Sequence, residues 1–191
     1  MGTDPLLRPT SGIGEGPHVD LLLAALVTER EAQRRLLDRD ADGACPLFRA
    51  AAAAYRASFD AAPPGAWGRL IGALKAAALA GDATREAETA RDALNGLRDT
   101  PASCYLGALA ATILMDDITV RELAPGMRAG GDAFGRAADG LLAIVNDDPD
   151  DLDAITQAIE ADFAGRDEHL TGVPIADTAL MLRRLGERRG L

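Results

Sequence analysis

An all-α protein of about nine helices, paired as antiparallel hairpins, is what this sequence predicts. Three observations carry that expectation. First, the stretch Ile71-Gly-Ala-Leu-Lys-Ala-Ala-Ala-Leu-Ala-Gly-Asp82 returns 35 residues later as Leu106-Gly-Ala-Leu-Ala-Ala-Thr-Ile-Leu-Met-Asp-Asp117, with six of twelve positions identical. A third copy, Ala137 to Asp148, follows 31 residues further on. Helix, acidic stop and new helix at such a period mark stacked helical hairpins. Second, alanine runs are long and aromatics make up only 4% of the 191 residues. Alanine is the best helix former, so the balance favours helices packed through small side chains. Third, β-branched residues are thinly spread and no convincing strand stands out.

The elements follow in order. Residues 1–17 hold three prolines and four glycines and are expected to form a flexible tail before a single helical domain over 18–191. Gly12, Gly14 and Gly16 bear a faint likeness to a phosphate loop, without the strand or spacing that such a loop needs. From Val19 to about Arg39 the pattern is helical, with Leu22, Leu23, Leu26, Val27, Leu36 and Leu37 on a broad apolar face. Glu29, Arg30, Glu31, Arg34 and Arg35 fall mostly opposite. Asp38 to Ala44 reads as a turn. Pro46 suits the first position of the next helix, which Pro63-Pro64-Gly65 ends. A helix over 66–80 carries the first repeat copy. Gly81 stops it, and Asp82 caps a helix running to about Leu97. Pro101 opens the helix of the second copy. Asp117 is expected to cap the next, which Pro125 shortens or kinks. Gly130-Gly131 is a break, and 132–145 holds the third copy. Asp148 then caps a helix opened by Pro149, with Asp150 and Asp151 opposing its positive end. After a loop over 165–172, Pro174 is expected to start the last helix, ending near Glu187.

The repeat copies resemble tetratricopeptide hairpins. Leu106-Gly107 and Ile71-Gly72 match that family's leucine-glycine pair. Ala51, Tyr55, Ser58 and Pro63 match the alanine, aromatic, small residue and proline of its second helix. The likeness covers about 46–148 and departs at Ala138, where the glycine is replaced, and at Ala90, where the aromatic is missing. It implies an α-α superhelix or, if the last helix fills the concavity, a compact bundle. In an open superhelix the groove would be lined by Arg69, Ala73 and Ala77, by Cys104, Ala108 and Thr112, and by Gly135, Asp139 and Ala143. Arg69, Thr112 and Asp139 would be its polar contacts to a protein or peptide partner. The layout also resembles small helical immunity proteins of bacterial toxin systems.

Charge narrows the partners. A net charge of −10 lacks the basic face that phosphate contacts need, so neither nucleic acid nor an anionic membrane is expected as partner. The candidate stretch Val19 to Val27 contains Asp20 and is too short to span a bilayer. No secretory or lipidation signal stands out, so a cytoplasmic protein is expected, with Cys45 and Cys104 as reduced thiols.

Candidate chemistry is thin. Asp38-Arg-Asp40-Ala-Asp42-Gly43 matches the first half of a calcium-binding EF-hand loop. Arg49 stands where the bidentate glutamate belongs, which removes two oxygen ligands and adds a positive charge. His169 lies near Asp167 and Glu168, and no nucleophile-elbow, zinc-protease or phosphate-loop motif occurs. The expected function is therefore a non-enzymatic binding or scaffold protein with no cofactor. A toxin-neutralising immunity protein is the first alternative. A metal-dependent enzyme using the Asp38–Asp42 loop or His169 is the second.

Overall fold

The acidic stops between helices are hairpin turns, and most are built one way. The structure, a computed structural model, describes residues 16–191. The expected tail up to residue 15, including Gly12 and Gly14, lies outside them. Nine helices occur among the described residues, with no strand: α1 Pro17–Leu37, α2 Ala41–Asp60, α3 Trp67–Leu79, α4 Thr84–Leu94, α5 Pro101–Ile113, α6 Asp117–Arg128, α7 Asp132–Val145, α8 Pro149–Ala164 and α9 Asp177–Arg189. No described helix is long and apolar enough to cross a membrane.

Three turns, α1–α2, α5–α6 and α7–α8, share one geometry. A residue in left-handed backbone comes next to last, at Arg39, Met115 and Asp147 with φ of 60°, 65° and 58°. An aspartate follows, whose side chain accepts a backbone N–H three residues on. Asp40 caps Gly43, Asp116 caps Thr119 and Asp148 caps Asp151, at 2.9, 3.2 and 3.0 Å. Each aspartate's own N–H closes back on the helix before it, to the carbonyls of Arg35, Ala111 and Ala143. The α3–α4 turn varies this with Gly81 in left-handed backbone and Asp82 bonded to Thr84 N. The Asp38–Asp42 stretch is thus one of a set of capped turns. Its carboxylate at Asp40 is engaged in stabilising the start of α2.

Several helix ends differ from the sequence expectation. The Asp40 cap starts α2 at Ala41, so Pro46 lies inside the helix instead of opening it. The α6 cap is Asp116, with Asp117 the first helical residue, and Pro125 is carried within a helix that continues to Arg128. The helix α4 ends at Leu94, where Asn95 turns left-handed. The helix α9 begins at Asp177, three residues beyond Pro174. Pro101 does open α5, and Thr100 and Ser103 bond each other's backbone N–H in a reciprocal cap.

The hairpins α1–α2, α3–α4, α5–α6 and α7–α8 stack in order. Each second helix packs against the first helix of the next hairpin, and the odd-numbered helices pack in sequence α3–α5–α7–α9. Helix α9 also packs back on α3, which closes an inner ring of four helices. The concavity of an open superhelix is therefore occupied. Ala77, Ala108, Thr112 and Ala143 are all buried within this layer. Small side chains permit the close approach. A Cβ on Gly107 would meet Leu123 at 2.8 Å, and one on Gly140 would meet Leu182 at 2.6 Å. Gly72 lies under the ring of Tyr55, which a Cβ there would reach at 3.0 Å. The aromatic of one hairpin thereby covers the glycine of the next.

A cleft with a buried polar floor

Outside the closed ring, a cleft of about 410 Å³ opens between α1, α3, the near ends of α7 and α8, and the 165–176 connection. Helical spacing places its lining. Leu22, Leu26, Glu29 and Gln33 form one stripe of α1, and Gly68, Ile71, Gly72 and Lys75 form one of α3. Ile159, Asp162 and Phe163 form a third on α8, with Arg166 just beyond its end. The roof is the connection to α9, tied to α1 across the whole chain. Arg30 Nε donates to the Thr171 carbonyl at 2.9 Å, and the Thr171 hydroxyl donates to Gln33 Oε1.

The floor is polar and buried. Glu29 is 4% exposed, and Tyr55 donates its hydroxyl to Glu29 Oε2 at 2.5 Å. Lys75 Nζ lies 2.5 Å from Asp177 Oδ2. Burial, with the nearby Asp177 charge, pushes the Glu29 carboxyl up to about 7, against the opposing pull of the Tyr55 hydrogen bond and the Lys75 charge. Burial also raises the Tyr55 phenol, reinforced by the Glu29 charge. For Lys75, burial disfavours the charge, but the Asp177 carboxylate together with Tyr105 and Glu29 overcomes it and holds the ammonium protonated. Burial raises Tyr105 as well, against the pull of the Lys75 charge.

The rim is aromatic and charged. His169 stacks on Phe163 with ring centres 4.4 Å apart, and the Arg166 guanidinium lies over the same Phe163 ring at 5.3 Å. The His169 Nδ1 atom is buried without a hydrogen-bond partner. Arg136 and Arg166 share the Asp162 carboxylate at 3.1 and 2.6 Å. No cluster of three or more histidine, cysteine or carboxylate side chains suited to a metal ion occurs among the described residues.

The residues expected to line a groove fall in three separate places. Arg69 is half-buried and donates to the Ser58 carbonyl at 2.8 Å. Thr112 is 2% exposed. Its hydroxyl bonds Ala108 O within α5, and its carbonyl accepts from Arg189 of α9. Asp139 pairs with Arg128 of α6. None of the three lines the cleft. Cys45 and Cys104 are free thiols directed at the carbonyls of Ala80 and Arg98.

Glu29 corrects the reading of α1. It was expected opposite the apolar face, yet it is buried, while Val27 and Leu37 are 49% and 55% exposed. The stripe that packs is Leu22, Leu26, Glu29 and Gln33, at helical intervals in which polar residues continue an apolar line. Two signals could have exposed the site. One is that stripe. The other is Lys75, the only lysine beside nineteen arginines, set in the alanine-rich heart of the first repeat copy. A lysine there needs a partner, because a buried unpaired ammonium is costly. The partner, Asp177, is 102 residues away and no local pattern points to it.

Compared with known proteins, the chain matches no family model, and neither the curated sequences nor the solved structures return a significant match.

Proposed function

We propose that this is a non-enzymatic binding protein that holds a peptide segment of a protein partner in the cleft beside α1 and α3. The single observation behind the reading is the cleft itself. It combines apolar walls with a few convergent polar groups, at a volume in the range of ligand sites. The partner's site is then the opening that α9 leaves, in place of the concave groove.

Gly68 supplies the test. It lies on the cleft, and a Cβ there meets nothing within 4 Å. Gly68→Trp should fill the opening and leave the melting temperature unchanged. A photo-crosslinking residue at Ala133, exposed on the cleft, should yield one discrete protein adduct in the native host. The same residue at Ile118, 71% exposed and off the cleft, should not. Gly68→Trp should abolish the adduct. Adducts that form equally from both positions, or that survive Gly68→Trp, would sink the reading.

A further inference from the structure

The cleft has an excess of negative charge that its own residues leave unmatched. Its lining includes the carboxylates Glu29, Asp162, Glu168 and Asp177 against three permanent cations, Lys75, Arg136 and Arg166. Lys75 is ion-paired with Asp177, and both arginines with Asp162. Glu168 is exposed at the rim, where water solvates it. Glu29 is at the floor and 4% exposed. One of its oxygens accepts from Tyr55. The other carries no hydrogen bond or ion pair among the described residues, and the side chain forms part of the cleft surface. That oxygen opens onto the cleft on a side chain otherwise largely removed from water, and its missing partner is a cost that an arriving ammonium would reduce. The raised pKa of Glu29 expresses the same deficit. Around it, Leu22, Leu26 and Ile71 supply apolar wall suited to an alkyl chain.

We infer that the cleft recognises a primary ammonium carried on an alkyl chain, with the charged head on the free oxygen of Glu29 and the chain along α1 and α3. In a peptide ligand that group is a lysine side chain. The inference rests on the reading of the cleft as the binding site and specifies what enters it. It requires no proton transfer or covalent step: the ammonium donates, and Glu29 accepts as a carboxylate.

Pentylamine is the probe, with 1-pentanol as its uncharged counterpart, followed by amide chemical shifts at a pH where Glu29 is ionised. Saturable shifts are expected at Gly68 and Gly72 with the amine, and at least tenfold weaker binding with the alcohol. Glu29→Gln should cut amine affinity at least tenfold, and Asp139→Asn, off the cleft, should leave it unchanged. Gly68→Trp should abolish the shifts. It serves as the second variant should Glu29→Gln disturb the fold. Equal binding of amine and alcohol would overturn the inference, as would amine binding that survives either Glu29→Gln or Gly68→Trp. The outcomes also separate the two claims. A crosslinked protein partner without amine binding leaves the peptide-binding reading standing and removes the ammonium. Amine binding without any protein adduct does the reverse.

Discussion

Helices α1 and α5 are both first helices of a hairpin, yet they are used differently. Ten of the thirteen α5 residues are buried, and α5 packs against α3, α4, α6 and α7. Helix α1 buries five of twenty-one, and two of those five are Glu29 and Gln33. Its main packing partner is α2. The inner ring makes α5 chiefly a packing element. The ring closes without α1, so beside its packing on α2 the Leu22, Leu26, Glu29 and Gln33 stripe borders a cleft. Stability and candidate function are thus divided between the middle of the hairpin stack and its first helix.

The largest expected effect tests that division directly. Leu109→Ala, at a fully buried position of α5, should cost about 2–5 kcal/mol in chemical denaturation, by lost transfer energy and the cavity left behind. Leu22→Ala, half-buried on the cleft wall, should cost less than about 1 kcal/mol, because much of its surface already faces water. Similar losses at the two sites would show that the cleft is as tightly packed as the ring.

Next comes pH. The folded-state pKa of Glu29, about 7, exceeds its ordinary 4.5, so the folded protein binds this proton more tightly than the unfolded chain. The resulting stabilisation is complete below pH 4.5 and is lost as pH rises through about 7. At about 1.4 kcal/mol per pH unit, its ceiling is about 3 kcal/mol. Glu29→Gln cannot ionise and should flatten the stability profile across that window. Parallel profiles for the two proteins would place Glu29 in ordinary solvent and weaken the contrast between α1 and α5.

A smaller effect is expected where the two helices of one hairpin cross. Gly107→Leu should overpack α5 against Leu123 and cost about 1–3 kcal/mol, read as a lower thermal midpoint. An unchanged midpoint would mean that α6 can shift away from α5. The smallest lies in the turns. Met115 is exposed in left-handed backbone, which an L side chain disfavours and glycine tolerates. Met115→Gly should raise stability by up to about 1 kcal/mol. A loss would reveal a packing role for the methionine.

Much of the fold was legible because its signals are local. The repeat placed α3, α5 and α7. Pro101, the Gly130-Gly131 break and the Asp148-Pro149 pair marked helix ends that need only their immediate neighbours to form. The α2 start was misjudged because two local signals competed. A side-chain cap at Asp40 satisfies a free N–H of the first turn, and it overrode the preference of Pro46 for a helix start. The candidate site was not legible in the same way. A wheel drawn on α1 cannot tell which of several faces will meet another helix, and Glu29 was set on the outer one.

What the sequence determined by itself is therefore a set of helices, their hairpin turns and the small-residue faces on which they stack. Each follows from backbone propensity, capping or side-chain volume within a few residues. What the tertiary structure alone decided is where those faces close. Asp177 meets Lys75, Thr171 meets Gln33, and α9 returns to α3, joining segments about a hundred residues or more apart. Burial at the floor of the cleft depends on all of these at once, because a carboxylate acquires an unusual affinity for a proton or an ammonium only when distant elements together exclude water from it.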